Sequence, residues 1–173
     1  MSSFKICFLA LLAVIFILAS SSFVRAGDCL IRVDFKKFRL IVTEQGRKEK
    51  KIFAVGLPRY KFRKMPIKGR VIGIEKNPCW VPTEGVRAYY RKKYKIELPD
   101  YMGSDHPGNP MGAAKILIAF DDKKICQSIR IHGTEDTESI GERQSPGCIR
   151  MRNEDILTLI KFISGKKTDV IFE

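Results

Sequence analysis

Apolar and polar residues alternate along several short stretches of this chain, which is the pattern of β-strands that bury one face. The stretches are rich in β-branched residues, which favour strands. They predict strands over residues 30–34, 39–44, 51–55, 70–75 and 169–172. A further pair, 115–120 and 125–131, predicts a hairpin across residues 121–124, so that His132 stands at the end of its second strand. The pattern indicates a mostly β fold.

Two stretches follow a helical period instead. Residues 83–94 begin at Thr83, and a second stretch begins at Asn153; both residue types cap helix N-termini. We expect Asn153 to be the N-cap of the second helix. The apolar residues of that helix recur on one face, at positions 156, 159, 160 and 163. Residues 99–112 are rich in Pro and Gly and predict a loop. The sequence thus predicts a single domain, mostly β with short helices.

The N-terminal residues carry a different hydrophobic pattern. Lys5 precedes an apolar run over residues 6–19, and Val24-Arg25-Ala26 offers small residues at the spacing that a signal peptidase reads. The run is shorter than the roughly 18–20 residues of a membrane span. We therefore predict a signal peptide over residues 1–26 and a catalytic domain over residues 27–173. Such a protein is exported to the periplasm or cell-wall space and keeps no stable membrane span. An uncleaved N-terminal anchor is the alternative.

The charge of the chain bears on its partners. The chain has 32 Lys and Arg residues against 19 Asp and Glu residues, a formal net charge of +13. This excess favours polyanionic surroundings, of which cell-wall peptides are one kind. The sequence carries no recognisable nucleic-acid-binding motif, so we do not expect a nucleic acid as partner.

Four cysteines lie beyond the predicted signal peptide, namely Cys29, Cys79, Cys126 and Cys148. There is no CxxC and no paired histidine motif, so the sequence predicts neither a metal site nor a cofactor. If Cys148 stays a free thiol, the other three cysteines allow at most one disulfide. The spacing does not indicate which two of them would pair.

A histidine and a cysteine carry the candidate chemistry. His132, one of two histidines, precedes Gly133, and Cys148 stands sixteen positions later beside Gly147. A thiol is a strong nucleophile only as a thiolate, and an imidazole is the usual base that makes it one. The glycines leave room for a substrate backbone beside both groups. We predict that Cys148 is a nucleophile and that His132 is its acid–base partner.

These residues belong to a longer pattern that resembles the signature of the bacterial L,D-transpeptidases. The pattern is His132-Gly133-Thr134 and then Ser145-x-Gly147-Cys148-Ile149-Arg150-Met151-x-Asn153-x-Asp155. The upstream segments Gly69-x-Val71-x-Gly73, Asn77-Pro78-x-Trp80-x-Pro82 and Asn109-Pro110-Met111-Gly112 fit as well. The resemblance spans about residues 30–172. It implies the mixed-β L,D-transpeptidase catalytic fold and a reaction on peptidoglycan stem peptides. A tetrapeptide donor loses its terminal D-alanine and forms a thioester, which an amine then attacks.

The resemblance also implies roles for the neighbours of the pair. The carbonyl of Gly133 would orient the imidazole. The N–H groups of Gly147 and Cys148 would bind the oxyanion, whereas Pro146 has no N–H to contribute. Three further residues are expected to contact the substrate: Thr134, Ser145 and Arg150.

Some of these positions keep a second interpretation. Arg150 suits a substrate carboxylate, but it would equally suit a structural ion pair with a nearby acid. Ser145 would bond near the site or only stabilise its turn. We expect Trp80 to pack in the core, with a substrate platform as the alternative, and His106 to be a polar loop residue, with a place in the cleft lining as the alternative.

Three functions therefore compete. In the leading one, the acceptor amine belongs to a neighbouring stem, which gives a 3→3 cross-link, or to a protein that becomes anchored to the wall. The second is a hydrolase of the same fold, a carboxypeptidase or amidase, in which water replaces the amine. The third is a non-catalytic basic wall-binding protein, which would not need His132 and Cys148 at this spacing.

Overall fold

The computed structural model describes residues 27–173. The predicted signal peptide lies outside the described residues. Over the described range, no helix has the length and apolar character required to cross a membrane.

The described chain forms ten strands and two α-helices. The strands are β1 (Cys29–Asp34), β2 (Arg39–Glu44), β3 (Lys50–Ala54), β4 (Leu57–Pro58), β5 (Ile67–Lys76), β6 (Ala114–Phe120), β7 (Arg130–Thr134), β8 (Arg143–Ser145), β9 (Ile149–Arg152) and β10 (Thr168–Phe172). The helices are α1 (Glu84–Tyr94) and α2 (Asn153–Ile163), and a short 3₁₀ turn covers Thr137–Ser139. The prediction of a mostly β domain with two helices is confirmed.

Eight strands form one mixed sheet in the order β3-β2-β1-β10-β5-β6-β7-β9, and β4 pairs with β8 in a separate small sheet. Most neighbours are antiparallel, but β10 lies parallel to β1, and β9 lies parallel to β7. Parallel neighbours need a long crossover. The crossover from β7 to β9 contains the 3₁₀ turn and β8, and it returns to the sheet just after Cys148.

The sheet buries one face against α2. Strand β6 alternates buried and half-buried residues, with Ile116 and Ile118 in the core. Helix α2 covers this face with the four residues predicted from its period: Ile156, Leu159, Ile160 and Ile163. Each fully buried aliphatic side chain contributes about 1.5–3 kcal/mol relative to an exposed one. Helix α1, by contrast, has no fully buried residue.

Two sequence predictions are wrong in detail. The second strand of the 115–131 hairpin starts only at Arg130, so His132 lies inside β7 rather than at its end. The Gln127 side chain accepts a hydrogen bond from the Phe120 N–H at 3.2 Å, so a side chain rather than a partner strand satisfies that amide.

The second error concerns Asn153. It is the first residue of α2, and the N-cap position belongs to Arg152. The Asn153 side chain accepts a hydrogen bond from the Ala113 N–H at 2.8 Å and donates one to Glu135 at 2.6 Å. It therefore joins the segment before β6 to the end of β7 and does not cap its own helix. Thr83, in contrast, caps α1 as predicted, because its hydroxyl accepts from the Val86 N–H.

Candidate active site

The register of β7 and β9 brings the candidate nucleophile and base to one side of the sheet. Ile131 lies beside Ile149 and His132 lies beside Arg150. Ile131 and Ile149 are fully buried in the core. Because side chains alternate across a strand, Arg130 and His132 face the opposite side. Cys148, which immediately precedes Ile149, faces that side as well.

This side of the sheet forms the floor of a cavity of about 310 Å³. His132, Cys148 and Arg150 line it, together with Arg130 from the start of β7 and Lys115 from β6. The segment around Trp80 and the α1 residues Val86 and Tyr90 line it as well. The structure therefore brings the predicted cysteine and histidine into one cavity of a size that suits a peptide segment.

His132 is held as a neutral imidazole. It is 2% exposed, and its Nδ1 lies 2.6 Å from the Gly133 carbonyl oxygen. Burial lowers its pKa to about 4, and the positive charges of Arg150 and Lys115 act in the same direction. The carbonyls of Gly133 and Met111 raise the pKa but do not offset the burial. A neutral ring at physiological pH is able to accept a proton.

Cys148 is held as a thiol. Burial raises its pKa, while a backbone hydrogen bond from Arg130 and the charges of Arg130 and Arg150 lower it in part. Within residues 27–173, no hydrogen bond links the thiol to His132. The resting pair is thus a thiol and an imidazole, both uncharged, rather than a preformed ion pair.

The turn that carries the cysteine is closed by Ser145. Its buried hydroxyl donates to the Cys148 carbonyl at 2.5 Å and accepts from the Gly147 N–H at 3.3 Å. Both hydrogen bonds of the Ser145 hydroxyl thus lie within the turn. The Gly147 N–H is already engaged, which weakens it as an oxyanion donor. A Cβ at Gly147 would lie 2.9 Å from the Tyr60 hydroxyl, so glycine allows that hydroxyl to approach the turn.

Of the remaining predicted residues, Arg150 lines the cavity and Thr134 does not. The Arg150 side chain is 14% exposed, and its Nη1 lies 3.0 Å from an oxygen of Asp136. Asp136 is thus the acidic partner that the ion-pair interpretation of Arg150 requires. Thr134 is buried, and its hydroxyl accepts from the Asp136 N–H at 3.1 Å.

Gly133 is surrounded closely enough to exclude any side chain. A Cβ there would lie 2.3 Å from the Asn153 amide oxygen and 3.0 Å from the Ala113 nitrogen. Since the Asn153 amide holds both neighbouring segments, Gly133 and Asn153 together fix the carbonyl that contacts the His132 ring.

Several cavity residues are missing from the sequence prediction. Among them are Tyr60, Lys115 and Arg130. Trp80, for which the sequence favoured a core position, is half-buried and lines the cavity. Arg130 could have been found, because it stands two residues before His132 on the same strand face. Lys115 and Tyr60 come from distant segments, and no local signal marks them. His106 is exposed in its loop, as predicted.

The four described cysteines are free thiols, and Cys79 and Cys126 line the same cavity as Cys148. Among residues 27–173, no group of three or more candidate ligands is arranged to hold a metal ion.

Comparison with known proteins adds a family and a fold. The family profile of the L,D-transpeptidase catalytic domain (YkuD) matches residues 29–171. YcfS of Escherichia coli K12, named as a probable L,D-transpeptidase, is 41% identical over 99 residues, which are 55% of this chain and 28% of that protein. The chain therefore spans less than a third of the length of this curated relative.

Solved structures give the same fold. An L,D-transpeptidase from Mycobacterium smegmatis superposes with a TM-score of 0.55 at 14% identity, covering 85% of this chain and 59% of that one. The LD transpeptidase LdtMt1 in complex with imipenem gives a TM-score of 0.52 at 12% identity, covering 85% and 59%. The mixed-β transpeptidase fold predicted from the sequence is confirmed by these similarities.

Proposed function

Because the chain belongs to the L,D-transpeptidase catalytic-domain family, we propose that it is an exported cysteine acyltransferase that acts on peptidoglycan tetrapeptide stems. The observation that carries the proposal is the juxtaposition of His132 and Cys148 in one cavity: His132 lies on β7, and Cys148 immediately precedes β9, the parallel neighbour of β7. A thiol and a neutral imidazole in a shared cavity are the parts that acyl transfer needs.

In the proposed reaction, the Cys148 sulfur attacks the carbonyl that precedes the terminal D-alanine. The thiol proton passes to His132, and a carbon–sulfur bond forms. The carbon–nitrogen bond then breaks, and His132 returns the proton to the leaving amine. Catalytic hydrogen bonds are often long before substrate binds, so the missing thiol–imidazole bond is expected to form in the complex. An acceptor amine then reverses these steps on the thioester.

Cys148 and His132 are both uncharged before substrate binds, and this determines how the thiol is activated. His132 has to take the proton as the attack occurs, because burial disfavours both the thiolate and the imidazolium beforehand. The Gly133 carbonyl, 2.6 Å from Nδ1, holds the ring for this transfer. The Cys148 N–H and the Tyr60 hydroxyl are the proposed oxyanion donors, since Gly147 donates to Ser145 and Pro146 has no N–H.

The location and acceptor form part of the same proposal. Residues 1–26 direct export, and the acceptor amine belongs to a neighbouring stem or to a protein that becomes linked to the wall. If water takes the place of the amine, the same site acts as a hydrolase. A closed site that excludes water favours the amine.

The test is a product analysis on a defined substrate. Purified protein is incubated with a tetrapeptide muropeptide, with and without an acceptor stem, and the products are resolved by mass. We expect D-alanine release and a cross-linked dimer, and loss of both in C148A. D-alanine release with a free tripeptide alone would identify a hydrolase. If no D-alanine is released at all, the proposed enzymatic activity is refuted.

A second measurement locates the nucleophile. LdtMt1 has been solved in complex with imipenem. We therefore expect an imipenem adduct on Cys148, detectable by peptide mass. C126A is the matched control, because Cys126 lines the same cavity and should be dispensable. An adduct on Cys79 or Cys126 would contradict the assignment.

A further inference from the structure

Three cationic side chains line the cavity beside Cys148: Lys115, Arg130 and Arg150. Two of them form an ion pair with a carboxylate, and one does not. Lys115 lies 2.9 Å from a carboxylate oxygen of Glu75, and Arg150 lies 3.0 Å from one of Asp136. Arg130 has no carboxylate within ion-pair distance anywhere in the described part of the chain. It is thus the cavity cation whose charge remains available for a ligand.

The Arg130 guanidinium is oriented by the backbone. Its Nη1 donates to the carbonyl of Gln127 and, at 2.9 Å, to the carbonyl of Ile129. These bonds use one end of the group and leave Nε and Nη2 without partners among residues 27–173. The Nε–Nη2 edge is one of the faces with which an arginine binds a carboxylate through two parallel hydrogen bonds. The side chain is therefore held with a carboxylate-binding edge open.

Arg130 also lies next to the reacting atom. Ile131 and Ile149 are direct neighbours across the β7–β9 pair. Arg130 immediately precedes Ile131, and Cys148 immediately precedes Ile149, so Arg130 and Cys148 also lie side by side. Both residues line the same cavity. Burial raises the pKa of the Cys148 thiol, and the nearby charge of Arg130 opposes part of that rise. A carboxylate bound to Arg130 would consequently lie in the cavity that holds Cys148, near the carbonyl that the thiol attacks.

We infer that Arg130 binds a free carboxylate of the donor stem and thereby selects donors that carry one beside the scissile bond. The inference rests on the proposed function, because it names the group that this site recognises. Two sources offer the same chemistry. One is the terminal carboxylate of the leaving D-alanine, and the other is a carboxylate on the side chain of the acyl-donating residue.

The test uses three donor peptides that differ in one group each: the free acid, its terminal carboxamide, and a form with the side-chain carboxyl amidated. Binding is measured by calorimetry to C148A and to C148A/R130Q, so that it does not depend on turnover. Losing a bidentate charged contact should weaken binding of the free acid about 10- to 100-fold. K123Q in the C148A background is the control, since Lys123 is an exposed turn residue that loses the same charge.

The pattern of losses identifies the ligand group. If R130Q abolishes the preference for the free acid over the terminal carboxamide, Arg130 binds the terminal carboxylate. If R130Q abolishes the preference for the free acid over the donor with an amidated side chain, Arg130 binds the side-chain carboxylate. Equal weakening of all three donors, or no weakening, overturns the inference. R130K, which keeps the charge but not the fork, should recover only part of the affinity.

Kinetics on the active enzyme separate this inference from the proposed function. R130Q should raise KM for the free acid about 10- to 100-fold with a smaller change in kcat, and thermal melting should show that the fold persists. If wild type releases D-alanine but R130Q keeps its full acid preference, the function stands and the inference fails. If wild type releases none, the function fails, and the binding measurements still decide the role of Arg130.

Discussion

Replacing His132 by Asn should remove much of the acid sensitivity of this fold. An unfolded histidine binds a proton below about pH 6.5, whereas the buried ring of His132 binds one only near pH 4. Between these values the unfolded state carries more protons than the folded state. Stability contributed by the neutral ring is therefore complete above pH 6.5 and is lost as the pH falls towards 4.

The size of the effect follows from the two pKa values. At 1.36 kcal/mol for each pKa unit, the difference between 6.5 and about 4 corresponds to roughly 3 kcal/mol. Small domains are stable by about 5–15 kcal/mol, so a loss of this size is readily measured. Asn also keeps an amide N–H that can donate to the Gly133 carbonyl, which limits the disturbance to the strand.

The assay is urea unfolding at closely spaced pH values from 7.5 to 4. Carboxylates also titrate near the lower end, so the informative quantity is the difference between variants. The control is H106N, which replaces the other histidine of the chain, exposed in its loop, by the same residue. We expect the free energy of unfolding of wild type and H106N to fall together, by roughly 3 kcal/mol more than that of H132N. Equal slopes in all three proteins would mean that the folded ring binds its proton at the same pH as the unfolded one, and the low pKa assigned to the buried His132 would be wrong.

Two further predictions concern the supports of the site. G133A should destabilise the protein by about 2–4 kcal/mol in urea unfolding, because its Cβ would meet the Asn153 amide oxygen at 2.3 Å. Combining it with N153A should cost less than the sum of the two single changes, and strict additivity would argue against the clash. Y60F should lower kcat by roughly 10²-fold, the usual cost of one oxyanion donor. Its rate of thiol alkylation should not change, and an unaltered kcat would remove Tyr60 from the mechanism.

The strands and the His–Cys pair were predictable because their signals are local. Alternation of apolar residues marked β1, β2 and β6, and α2 followed from the period of its buried face. The spaced motif identified His132 and Cys148 as site residues without any knowledge of how β7 and β9 pair. These features depend on the order of neighbouring residues, which a single sequence displays.

Two of the errors involve amide side chains that form hydrogen bonds outside their own element. Asn153 has the composition of a helix cap, but its amide instead satisfies the Ala113 N–H, forty positions earlier. Gln127 lies in an apolar stretch that resembles a strand, yet it bonds to Phe120 and turns the chain. Strands β8 and β9 are three and four residues long, too short for alternation to be visible. Tyr60 reaches the site only through the pairing of β4 with β8.

The position of β10 has a consequence for how the molecule folds. Of the ten strands in residues 27–173 it comes last, yet it lies inside the large sheet, with three strands on one side and four on the other. Its parallel partner, β1, is the first strand, so this pairing closes the longest possible loop in the domain. Contacts between distant segments slow folding, because the entropy of loop closure precedes the gain. The two parts of the sheet can be joined only once residue 172 has been synthesised, and until then their inner edges remain open to other strands.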